Sequence, residues 1–136
     1  MRRIVFVVSL ACLLVTGCAQ DRMTTDVLTV VGEADYSFAP RVVTVPRQTP
    51  VTLTFSARGE AHSYVLKDAI KDGPIDNSRG LLTRNPTASN DLIVAEATQD
   101  ETVTVTFTML ERGVYLVYCM YEGHRENGMF GTLIVE

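Results

Sequence analysis

Two stretches of the chain alternate strictly between apolar and polar side chains. Val51-Thr52-Leu53-Thr54-Phe55 and Val103-Thr104-Val105-Thr106-Phe107 each put large apolar groups on one face and threonines on the other, the period of a half-buried strand. Their flanks are unrelated, so the likeness reflects a shared face pattern and not an internal repeat. Looser patterns predict strands at Val27 to Val31, Arg41 to Val45, Ser63 to Leu66, Val114 to Tyr118 and Phe130 to Val135, most of them separated by turn residues. Valine and threonine dominate these segments, and β-branched side chains fit a pleated sheet better than a helix. Seven short strands within about 110 residues predict an all-β fold of the sandwich kind. Lys67 to Asn90 breaks the pattern; its Asp, Asn, Gly, Pro and Ser content predicts a solvated loop or a short helical turn. Asp72 and Asp76 in that stretch lack the spaced oxygen ligands and central glycine of a calcium loop.

The N-terminus has a different character. Met1-Arg2-Arg3 is a positive start, Ile4 to Val15 is an apolar run broken only by Ser9, and Thr16, Gly17, Cys18 and Ala19 are small. That is the layout of a secretory signal, and the run is shorter than the roughly 20 residues a spanning helix requires. Val15-Thr16-Gly17-Cys18 resembles the bacterial lipobox, whose cysteine is lipidated and becomes the first residue after cleavage. Residues 1–17 are therefore expected to be a lipoprotein signal peptide, 18–26 a lipidated N-terminus and polar tether, and 27–136 a single folded domain. The expected address is exported and lipid-anchored through Cys18, facing the periplasm. Ala19 in place of aspartate favours the outer membrane in a Gram-negative host.

Charge and cysteine count narrow the chemistry. Twelve Lys and Arg stand against sixteen Asp and Glu, a formal net charge of −4 that loss of Arg2 and Arg3 deepens, and the positives are scattered. A nucleic-acid partner is excluded on that footing. Of three cysteines, Cys12 lies in the signal and Cys18 takes the lipid, so Cys119 stands alone in the domain and no intramolecular disulfide can form. A lone thiol in an oxidising compartment calls for burial, reactivity or a metal.

The stretch Tyr118-Cys119-Met120-Tyr121-Glu122-Gly123-His124-Arg125-Glu126-Asn127-Gly128-Met129 places a thiol, an imidazole and a thioether at Cys-x4-His-x4-Met. All three lie on one connection between predicted strands, and Gly123 and Gly128 precede His124 and Met129, where a residue without Cβ permits a sharp turn. His62 is the only other histidine. Two imidazoles, a thiolate and a weak axial thioether form the donor set that selects copper in both Cu(I) and Cu(II) states, whereas zinc wants a more regular tetrahedron. Met120 is a rival axial ligand, although adjacency to Cys119 points it to the opposite face of an extended chain. Cys119 and His124 are also readable as nucleophile and base, a reading that leaves the methionine unexplained and finds no orienting Asp or Asn in the motif. Met109 is assigned to the core.

With Gly113 to Tyr118 before it and Gly131 to Val135 after it, this loop resembles the cupredoxins, the type 1 blue copper proteins, over essentially the whole chain from Val27 onward. The x4, x4 spacing is similar to that of rusticyanin and auracyanin, and Phe38-Ala39-Pro40 resembles the family's early segment. The resemblance implies a Greek-key β-sandwich of seven or eight strands holding one copper on His62, Cys119, His124 and Met129, with the edge of His124 facing solvent as the electron port. It also implies a non-enzymatic one-electron carrier, monomeric and serving redox partner proteins. A copper-binding module for storage, resistance or delivery is the alternative. Ser63 departs from the pattern, which often has asparagine after the first histidine to tie the two ligand loops together. A hydroxyl there is still able to bond a backbone group across the gap.

Overall fold

A computed structural model describes residues 26–69, 75–76, 82–88 and 90–136. The predicted signal peptide and Cys18 lie outside the described residues. Eleven β elements follow one another along the described chain: β1 (Val27–Glu33), β2 (Ser37–Ala39), β3 (Val42–Val45), β4 (Pro50–Ala57), β5 (His62–Leu66), β6 (Ile75–Asp76), β7 (Thr83–Arg84), β8 (Leu92–Ala97), β9 (Thr102–Met109), β10 (Gly113–Tyr118) and β11 (Phe130–Val135). They form two sheets, ordered β2-β1-β4-β9-β6 and β3-β11-β10-β5-β8-β7. No helix among the described residues is long and apolar enough to cross a membrane.

The two alternating pentamers turn out to be partners. β4 and β9 pair antiparallel with Val51 opposite Phe107, Leu53 opposite Val105 and Phe55 opposite Val103. Their apolar faces therefore coincide, and Thr52 and Thr54 fall opposite Thr106 and Thr104 on the outer face. Inside, Phe55, Leu53 and Val51 are fully buried in one core cluster with Val30, Leu133 and Met109, as expected for Met109. Phe38, Phe55 and Tyr64 stack at ring distances of 5.4 to 6.4 Å across the middle of the sandwich.

The structure adds strands to those the pattern predicts: β8 and β2 lie outside the predicted segments, and among the described residues nine elements have three or more residues. β8 reads Leu-Ile-Val-Ala-Glu-Ala and buries five of its six residues; a strand covered on both faces carries no alternation. β5 is buried at every position for the same reason. Within the expected loop, Lys67 to Ala69 form a turn, and β6 and β7 add two-residue edge strands. Strands of two residues are too short to show a period of two, so the sequence pattern does not reveal them.

Topology sets up one end of the sandwich. β5 and β10 run antiparallel, with Val65 opposite Tyr118, so the start of β5 at His62 lies beside the end of β10, where Cys119 follows. β10 and β11 form a hairpin that closes on the pair Tyr118 and Phe130. Cys119 and Met129 are the first residues beyond that pair on either side.

Candidate metal centre

The connection from Cys119 to Met129 is held by its own backbone. Cys119 N–H donates to the Met129 carbonyl at 3.1 Å, and Met129 N–H donates to the His124 carbonyl at 3.0 Å. Gly123 and Gly128 adopt φ of +79° and +102°, conformations that a Cβ disfavours, which is what their positions before the two ligand candidates predicted. The Asn127 side chain braces the turn by donating to the Gly123 carbonyl at 2.7 Å.

The result is a cluster of three buried Lewis bases. The ligand atoms of His62, Cys119 and His124 all lie within 4.8 Å of one another, and the residues are 0, 0 and 6% exposed. His62 Nδ1 is 3.3 Å from His124 Nδ1, which is 3.4 Å from Cys119 Sγ. On their far sides, His62 Nε2 meets the Arg58 carbonyl at 3.3 Å and His124 Nε2 meets a Glu60 carboxylate oxygen at 3.2 Å. A carbonyl and a carboxylate only accept, so each imidazole donates from Nε2 and faces inward with Nδ1. Between neutral rings, two Nδ1 lone pairs at that separation repel, and the thiol proton, a weak donor, serves at most one of them. A cation between the nitrogens and the sulfur relieves the repulsion, so the arrangement fits a metal. Burial lowers the pKa of His62, opposed by the Arg58 carbonyl, which keeps that lone pair available.

The sulfur is also prepared. Ser63 N–H donates to Cys119 Sγ at 3.4 Å and the Ser63 hydroxyl at 3.6 Å, while the same hydroxyl accepts from Met120 N–H at 2.9 Å. Ser63 thus bonds a backbone group across the gap, as a hydroxyl at that position is able to. Met129 is fully buried and joins the core that includes Cys119. Met120 packs instead against Val65, Ile93 and Tyr118, a separate small cluster, consistent with its side chain leaving by the opposite face.

His124 is more enclosed than the family resemblance implies. Its side chain is 8% exposed, with the Tyr36 ring edge-on at 5.0 Å and the Tyr121 ring at 5.7 Å. Tyr36 holds its place with φ of +62°, a left-handed conformation unusual for an aromatic residue.

Several of these residues carried no signal of their own in the sequence. Gly32 is one: a Cβ there would come within 2.9 Å of three His62 side-chain atoms, so the strand backbone of β1 forms the floor under that imidazole. Glu60 is another, and only its place two residues before His62 pointed to it. Tyr36 and the Arg58 carbonyl complete the group, brought in by folding alone.

Residues 25–136 match the family described as copper binding proteins, plastocyanin/azurin family. No curated protein matches the chain. Among solved structures, the dithionite-reduced auracyanin of the photosynthetic bacterium Roseiflexus castenholzii superposes with a TM-score of 0.60 at 21% identity, covering 83% of this chain and 98% of that one; at that identity the likeness concerns the fold. Auracyanin B gives 0.61 at 28% identity, covering 81% and 88%. Auracyanin A, a "blue" copper protein of the green thermophilic photosynthetic bacterium Chloroflexus aurantiacus, gives 0.57 at 27%, covering 81% and 98%.

Proposed function

Since the chain belongs to the plastocyanin/azurin family of copper-binding proteins, we propose that it is a one-electron carrier holding a single type 1 copper on His62, Cys119, His124 and Met129. The observation that carries this reading is the inward meeting of two Nδ1 atoms and a thiol sulfur on three buried residues. Two imidazoles and a thiolate with a weak thioether beside them are the donor set of blue-copper electron-transfer sites. Bound there, copper supplies one-electron chemistry between its Cu(I) and Cu(II) states.

The protein's part is to keep the donors still. His62 sits at a strand start, Cys119 and Met129 close a hairpin, and His124 hangs from backbone bonds within the loop between them. Ser63 joins the His62 strand to the Cys119 loop. With donors so braced, little has to reorganise when the charge changes, which is the requirement of a carrier. In this reading the electron leaves through the covered edge of His124, among Tyr36, Glu60 and Tyr121, toward redox partner proteins. We place the protein outside the cytoplasmic membrane as a lipid-anchored monomer, with Cys18 as the lipid site.

Delivery or storage of copper is the second reading, and burial weighs against it. A protein that hands on its metal needs ligands that open to an acceptor, whereas His62 and Cys119 are fully buried. Burial also argues against enzymatic use of Cys119, although Cys119, His124 and Glu60 line up as thiol, imidazole and carboxylate. A nucleophile needs a path for its substrate, and a second imidazole within 4.8 Å of the sulfur has no role in that chemistry.

Purified protein given Cu(II) should bind one equivalent and develop an intense visible band from thiolate-to-copper charge transfer, and Cys119→Ser should abolish it. After reduction, the copper should stay bound for hours against a Cu(I) chelator of moderate affinity. A Cys119→Ser variant that keeps the band overturns the ligand set, and loss of copper within minutes of reduction favours delivery.

A further inference from the structure

The loop Arg58 to Ala61 touches both imidazoles, and it does so unequally. It presents a neutral carbonyl, that of Arg58, to His62 Nε2 and a carboxylate, that of Glu60, to His124 Nε2. The loop is pinned just before Glu60, and β5 begins two residues after it with His62 opposite Ala97. Arg58 N–H donates to the Gly32 carbonyl at 2.9 Å, the Arg58 guanidinium pairs with Glu33 at 3.1 Å, and Gly59 N–H donates to Asp100 at 3.1 Å. Gly59 itself has φ of +78° and lies so close to Ala34 that a Cβ would approach its side chain to 2.8 Å. The backbone that leads into Glu60 is therefore held in place, and the carboxylate reaches His124 from it. Its side chain is 42% exposed, but the imidazole it meets is 8% exposed, so the bond forms at a surface screened from water on one side.

We propose that Glu60 is a positioning residue of the copper centre: it fixes His124 with Nδ1 turned inward and, through its negative charge, sets how strongly the centre prefers Cu(II) to Cu(I). The proposal rests on the ligand set argued above. A carboxylate accepting from the outer N–H of a metal-bound imidazole holds the ring's tautomer and orientation and makes its inner nitrogen a stronger donor. The added negative charge stabilises the more positive oxidation state. His62, facing an uncharged carbonyl, lacks the second effect, so the two histidines are electronically distinct although their inner geometry is similar.

Two variants separate the two effects. Glu60→Gln keeps an oxygen that accepts from Nε2–H but loses the charge; Glu60→Ala loses both. In the copper-free protein, ¹⁵N NMR should find the His124 proton on Nε2 in the parent and in Glu60→Gln, and shared between both nitrogens in Glu60→Ala. In the copper-loaded proteins, the ratio of Cu(II) to Cu(I) affinity should fall about tenfold in Glu60→Gln, the lower end of what loss of an outer partner costs a metal site. For a one-electron couple that is a rise of about 59 mV in the midpoint potential, and Glu60→Asp should recover part of it. Parent-like potentials in both Glu60→Gln and Glu60→Ala, with the His124 tautomer unchanged in the latter, overturn the proposal and leave the copper reading standing. Absence of the charge-transfer band from the parent itself overturns the ligand set instead, and the tautomer measurement on copper-free protein then decides the positioning role alone.

Discussion

Ser63 meets the Cys119 sulfur twice, with its backbone N–H at 3.4 Å and its hydroxyl at 3.6 Å. The hydroxyl also accepts from Met120 N–H at 2.9 Å, so one small side chain joins the strand that carries His62 to the loop that carries Cys119 and His124. Ser63→Ala removes the hydroxyl and leaves the Met120 N–H without its acceptor. The copper-free protein should lose about 1–2 kcal/mol of stability, the range for an orphaned, partly buried donor. With one of two donors gone from the sulfur, the thiolate becomes more electron-rich and the potential should fall. Urea titration and spectroelectrochemistry measure the two effects; a variant unchanged in both removes Ser63 from the account.

Gly32 passes close under the His62 side chain. A Cβ on residue 32 would stand 2.9 Å from His62 Cβ, Cγ and Cδ2. In an open strand, Gly→Ala gains up to about 1 kcal/mol by restricting the unfolded chain. Here the sign should reverse, and Gly32→Ala should cost about 1–3 kcal/mol through overpacking and weaken copper binding by displacing the imidazole. An alanine variant as stable as the parent, with an unaltered spectrum, contradicts this.

Met129 and Met120 are separated by their replacement with leucine. Both changes conserve volume, so each should cost less than about 1.5 kcal/mol in stability. Met129→Leu removes the proposed axial donor, and copper should remain bound at a raised potential. Met120→Leu should leave the potential where it was. The reverse pattern would make Met120 the axial ligand.

Burial lowers the pKa of His62 below the ordinary 6.5. Between its folded pKa and 6.5 the unfolded chain therefore binds more protons than the folded chain, and stability rises with pH across that window. The contribution is complete above the ordinary value and is lost as pH falls through the folded one. Copper-free protein should show a falling urea midpoint on mild acidification, and His62→Gln should flatten the slope. A slope identical in parent and variant would assign the acid sensitivity to other groups.

Cys18 lies outside the described residues, and its role is tested in cells. Cys18→Ala should abolish incorporation of a fatty-acid analogue and leave the protein as unprocessed precursor or in soluble form. Equal labelling of parent and variant would rule out Cys18 as the lipid site.

Much of the candidate centre was legible in one dimension because its chemistry is local. Cys119, His124 and Met129 lie on a single loop whose spacing and glycines are readable in order, and His62 followed by elimination, being the only other histidine. The half-buried strands were legible for a related reason: one wet face and one dry face impose a period of two, as in β4 and β9. β8 escaped because both of its faces are covered, so that burial removes the alternation that would announce it. The surroundings of the proposed ligands were decided by tertiary structure. Gly32 comes under His62 from β1, Tyr36 reaches His124 from the turn after it, and Glu60 turns to His124 from the loop before β5. Each is an ordinary residue whose effect depends on distance and direction to a group far along the chain, and only the packing of the two sheets sets those.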